Sequence, residues 1–103
     1  MEASQPSPLS RAAQVLKMET ILRVNKALNI NRHGMAILDR WALNQPDELK
    51  AMETRNDLWL LMRLLEQQHL EQEILNRPES QVRLANGLTP HEILEMHEIK
   101  TSL

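Results

Sequence analysis

Apolar positions fall thickest between Pro46 and Asn76, where 31 residues pass without a Gly, an internal Pro or a cluster of β-branched side chains. The middle of this stretch, Leu58-Trp59-Leu60-Leu61-Met62-Arg63-Leu64-Leu65, is apolar almost all round, which predicts a helix enclosed on most of its sides. Pro46 suits the first helical position, and Asp47 and Glu48 put negative charge where the helix dipole favours it. A helix over 46–76 would be ~46 Å long, whereas a compact chain of this size is only ~34 Å across. Such a helix has to bend, or to project and meet a partner. Beyond Leu65 the pattern turns polar through Glu66, Gln67, Gln68, His69, Glu71, Gln72 and Glu73, leaving Leu70, Ile74 and Leu75 to continue an apolar side until Pro78.

Helical spacing also predicts a first helix from Pro8 or Leu9 to about Asn29, with Leu9, Ala13, Leu16, Thr20, Val24 and Ala27 on one stripe, widened by Ala12, Ile21 and Leu28. Asn29-Ile30-Asn31-Arg32-His33-Gly34 breaks that period with turn-forming residues. A shorter helix follows from about Met35 to Leu43, with Met35, Leu38, Trp41 and Ala42 on one side, and it stops at Asn44-Gln45 because Pro46 disfavours α geometry in the residue before it. Glu79 to Ala85 has room for one or two turns, and Asn86-Gly87 is a turn signal. Thr89-Pro90-His91-Glu92 has the form of a capping box with Pro at the first helical position, opening a final helix to about Lys100.

No stretch alternates in the manner of a strand, and Phe and Tyr are absent, so the core is expected to be built from Leu, Ile, Val, Met and Ala. The fold class expected is all-α: a small bundle of four to five helices around one long central helix, dimeric through that helix. Residues 1–8 read as a disordered tail, since two prolines, two serines and a charge dominate them, and 9–103 as a single helical domain. No repeat of fixed period suggests a solenoid.

With no Cys, the chain offers no thiolate chemistry and its fold is independent of redox state, which is compatible with a cytoplasmic location. The first residues lack the basic and apolar regions of a signal peptide. The longest apolar run, Leu58–Met62, is five residues against the ~20 a membrane span needs. Net charge is −2 but uneven: residues 1–45 carry six basic and three acidic side chains, and 46–103 six basic and eleven acidic. That asymmetry fits ordinary solvated faces or complementarity between partners.

Candidate chemistry is sparse. Glu66-Gln67-Gln68-His69 has the Glu-x-x-His spacing of helical di-iron sites, but no second copy exists. His91 and His97 stand six apart, so they cannot chelate a zinc ion as histidines four apart do. Phosphate loops and nucleophile elbows are missing, so no catalytic, cofactor or metal residue is assigned and no enzymatic activity is expected. The function expected is a protein-interaction module, an adaptor, chaperone, inhibitor or regulatory subunit that self-associates. Leu58, Trp59, Leu61, Met62 and Leu65 are its expected core or oligomer residues. Trp41, at the end of a short helix among polar neighbours, is the expected binding anchor, with Met35, Leu38, Ile93 and Met96 beside it. The alternative is a small DNA-binding regulator using Arg11, Arg23, Lys26, Arg32 and Arg40.

Overall fold

The computed structural model describes residues 7–103. Within them the chain runs through seven helices: α1 (Ala12–Val15), α2 (Met18–Lys26), α3 (Arg32–Asn44), α4 (Pro46–Arg55), α5 (Asp57–Leu75), α6 (Pro78–Ala85) and α7 (Pro90–Met96). No strand occurs among the described residues, so the all-α class stands. Of the segment expected to be a disordered tail, residues 1–6 lie outside the described residues.

The expected helix over 9–29 is divided by extended backbone at Leu16 and Lys17, with ψ of 159° and 152°. Distant carboxylates satisfy N–H groups at the two helix starts that this division creates. Asp39 of α3 accepts from the N–H groups of Leu9 and Ala12, both at 2.9 Å, and Glu53 of α4 accepts from that of Lys17 at 2.8 Å. Neither α1 nor α2 has a side-chain cap from its own N-cap residue. The bend lets Leu16, Ile21 and Val24 all reach the interior, whereas Leu28, placed on the same stripe by periodicity, is fully exposed.

The long helix over 46–76 is likewise broken. Asn56 leaves helical geometry at φ −172°, ψ 108°, and its side-chain oxygen accepts from the N–H of Leu58 at 3.0 Å. Asn56-Asp57 is a capping residue followed by an acid in the first turn, and this local signal outweighs the continuous helical periodicity around it. The remaining helix α5, of 19 residues, is ~28 Å long and fits a molecule of 39 × 36 × 25 Å. Its last carbonyls are capped from α6, by the Ser80 hydroxyl on Ile74 and the Gln81 amide on Leu75, both at 2.7 Å.

Helix α3 is the centre of the larger core. Gly34, Ile37, Leu38, Trp41 and Ala42 form its buried stripe, packed with Leu9, Ala12, Leu16, Val24, Leu49, Leu60 and Leu64. Gly34 sits in the first turn of α3, not in a turn before it: a Cβ there would collide with Gln68 Oε1 and come within 2.9 Å of Ile30 Cγ2. A smaller core joins Ile74 and Leu75 of α5 to Ile93 and Leu94 of α7.

Two helix ends share one closing motif. After α6, Leu88 N–H reaches Arg83 O at 3.0 Å and Gly87 N–H reaches Leu84 O at 3.1 Å, with Gly87 at φ 101°. After α7, Ile99 N–H reaches Leu94 O and Glu98 N–H reaches Glu95 O, both at 2.9 Å, with Glu98 at φ 57°. The final helix therefore ends at Met96 rather than near Lys100, because a left-handed residue at 98 turns the chain back across the molecule. At its other end the capping box is complete, with Glu92 N–H on the Thr89 hydroxyl at 3.1 Å and Thr89 N–H on Glu92 Oε1 at 2.8 Å. No helix among the described residues is long and apolar enough to cross a membrane.

Candidate functional site

The interior side of α5 begins apolar with Leu60 and Leu64 and continues polar with Gln67, Gln68 and Glu71. Each polar group has a partner. Gln68 clamps the loop before α3, donating to Asn29 O at 2.8 Å and accepting from Asn31 N–H at 3.1 Å. Glu71, whose side chain is wholly buried, accepts from both terminal nitrogens of Arg40 (Nη2 to Oε2 2.6 Å, Nη1 to Oε1 3.3 Å), from His33 Nε2 at 3.0 Å and from Gln67 Nε2 at 2.7 Å. Burial alone would push the Glu71 carboxyl up. The hydrogen bonds from His33, Arg40 and Gln67, with the charge of Arg40, outweigh it and hold the group at about 2.

Over this network lies the segment Lys100–Leu103, which is neither helix nor strand. Gln67 Nε2 donates to Lys100 O at 2.8 Å, and Arg40 Nη2 and Trp41 Nε1 donate to Thr101 O at 2.8 and 2.9 Å. Arg63 Nη2 donates to Ser102 O at 3.3 Å, and Leu103 N–H donates to Gln45 Oε1 at 2.7 Å. The Arg63 guanidinium also stacks on the Trp41 ring, 5.2 Å from its centroid.

Trp41 is consequently interior, 1 % exposed, and not the surface anchor expected of it. Its indole faces the core while its N–H meets a backbone carbonyl, so polar neighbours in sequence did not mean a wet environment. Leu38 and Ile93, expected beside it as binding residues, are also fully buried, and Met35 is half-buried against the same core. Of that expected set only Met96 is largely exposed.

For the apolar centre of α5, expected to supply core or oligomer residues, the core half of the expectation fails at three positions. Leu58, Trp59 and Met62 are 55 %, 61 % and 62 % exposed, while Leu61 and Leu65 are half-buried at the margin of the core. An all-round apolar segment gives no sign of which side faces inward; here α3 and α4 cover the side of Leu60 and Leu64. The exposed side chains lie in a continuous surface. Trp59 and Met62 share one shallow cleft with Met52, Arg63 and Glu66, and Trp59 shares another with Glu48, Met52 and Arg55. On the far side Leu58 and Met62 border Ala27, Ile30, Leu61 and Leu65.

The basic residues divide. Arg40 is committed to Glu71 and Thr101, and Arg23 pairs with Asp57 at 3.0 Å, while Arg11, Lys26 and Arg32 are exposed. Glu66 and His69 do not converge: Glu66 lies 3.7 Å from Arg63, and His69 lies 3.8 Å from Glu73. Among the described residues no three metal-ligating side chains gather at one point. No protein-family model matches the chain, no curated protein resembles it significantly in sequence, and no solved structure matches its fold.

Proposed function

We propose that this chain is a non-enzymatic interaction module that pairs with a second copy of itself through the outer face of α4 and α5 centred on Trp59. The observation that carries the reading is the cluster of Leu58, Trp59 and Met62, large apolar side chains left more than half open on one helix. Contiguous exposed apolar surface marks an interaction site, and an aromatic side chain with methionine beside it is the composition of an interface centre.

A second copy fits this face because its rim carries both signs of charge. Glu48 and Arg55 flank Trp59 on one side, and Arg63 and Glu66 flank it on the other. A two-fold axis brings one patch against itself, so a rim with both signs can pair with its own image where a single-sign rim would repel. The resulting dimer would present its other surfaces to further partners as an adaptor or regulatory subunit.

Light scattering on the intact chain across a range of concentrations tests this directly. A mass of two chains that falls to one chain on dilution is expected, with Trp59→Glu monomeric at every concentration and unchanged in helicity. A wild-type chain that remains monomeric at the highest concentration reached would overturn the pairing.

A further inference from the structure

We propose that the groove formed by Arg40, Trp41, Gln45, Arg63 and Gln67 is a receptor for a non-helical peptide, and that Lys100–Leu103 is its exchangeable occupant rather than a fixed part of the fold. This site adjoins the pairing face at Trp59, with which it shares Arg63, but its contacts do not require that pairing.

Three features of the contacts support the assignment. The groove reads backbone: three consecutive carbonyls, of Lys100, Thr101 and Ser102, and then the N–H of Leu103. Among the described residues no hydrogen bond or ion pair uses the side chain of Lys100, Thr101 or Ser102, whereas the Leu103 side chain packs on the larger core. The ligand chemistry is therefore non-helical peptide backbone, tolerant of sequence at three positions, with an apolar residue other than proline at the fourth.

The groove is also held in shape without its occupant. Arg40 and Gln67 are both tied to Glu71, and Arg63 has the Trp41 ring and Glu66, so three of the four donors keep a partner when the segment leaves. Preorganisation of that kind lowers the ordering cost of binding. The fourth donor, Trp41 Nε1, has Thr101 O as its hydrogen-bond partner, so an empty groove would leave that N–H without a protein acceptor. That unmet donor favours refilling by any carbonyl of suitable geometry.

The third feature is the joint. Residue 98 connects α7 to the segment in left-handed backbone, at φ 57° in a residue that carries a Cβ, a conformation that disfavours the docked path relative to an extended one.

Titration of the isotope-labelled intact chain with an acetylated, amidated peptide of residues 97–103, followed by NMR, tests the proposal. The backbone amides of 100–103 in the protein should move saturably to the positions of an unstructured segment, while the Trp41 indole N–H keeps a hydrogen-bonded shift because the peptide carbonyl replaces the resident one. Changing the peptide at the positions of Thr101 and Ser102 to Ala should leave the midpoint unchanged, and changing Leu103 to Asp should abolish the effect. Leu103→Asp in the protein weakens the resident and should improve the apparent peptide affinity by ~10-fold or more, since competition in cis lowers the fraction of open groove. Segment amides that stay docked at saturating peptide would overturn the proposal. If Leu103→Asp impairs folding, the wild-type titration decides the question without it.

Discussion

Toward the interior α5 presents Leu60, Leu64, Gln67, Gln68 and Glu71, and toward solvent its first half presents Leu58, Trp59 and Met62. Counting Ile74 and Leu75, three of the seven residues that α5 buries are polar, while Leu58, Trp59 and Met62 on the outside are large and apolar. Burial here follows available partners as much as hydropathy. Gln67, Gln68 and Glu71 are inside because Arg40, His33, the Asn29–Asn31 backbone and the Lys100 carbonyl meet them at hydrogen-bonding distance. Leu58, Trp59 and Met62 are outside because the bend at Asn56 and the packing of α3 and α4 leave that side uncovered. Polar groups thus do interior work of positioning loops, while large apolar groups stay outside.

Removing the centre of the inward side breaks the comparison most severely. Glu71→Ala leaves Arg40 and His33 facing an empty, desolvated space, and is expected to cost about 3–5 kcal/mol, read by urea denaturation. The same group fixes the acid limb of stability. Its carboxyl in the folded chain lies below its unfolded value of 4.5, at about 2, so the native state binds fewer protons. The contribution is complete above the unfolded value and is lost as pH falls from there toward 2. Denaturation midpoints of the wild type measured from pH 6 downward should show that decline, and Glu71→Gln should flatten it.

A second pair of variants sharpens the contrast between the sides at matched chemistry. Leu64→Ala, on the inward side, is expected to cost about 2–5 kcal/mol, while Met62→Ala should fall within about 0.5 kcal/mol of wild type under conditions where the chain is monomeric. Equal losses would mean that the outward face is covered within one chain.

A gain rather than a loss is expected from the two matched helix ends. Gly87 and Glu98 occupy the same left-handed position after α6 and α7, but only glycine does so without strain. Glu98→Gly should raise stability by about 1 kcal/mol, measured as a shift in the denaturation midpoint. Gly87→Glu is its mirror and should lower it.

Signals confined to a few neighbouring residues were the legible ones. Pro46 closes α3 and opens α4, and Thr89 to Glu92 form the capping box. Asn56-Asp57 is a signal of the same kind, masked by the helical pattern that continues on both sides of it. Contacts between distant residues left no such trace. Asp39 and Glu53 look like ordinary surface acids until α1 and α2 are placed against them. The exchange of roles between Trp41 and Trp59 depends on which side of each helix is covered, and composition is silent about that. The Lys100–Leu103 groove was the least legible of all, because a receptor that binds backbone imposes almost no side-chain pattern on its occupant.

The carboxylates of Asp39 and Glu53 set a direction for how the chain comes together. Helix α1 has four residues, too few to persist alone; its first N–H, at Ala12, and that of Leu9 before it meet an acceptor 27 and 30 positions further along. The entrance of α2 waits for one 36 positions further along. Neither helix is therefore completed by its own sequence: they depend on α3 and α4, which follow them along the chain, being docked against them.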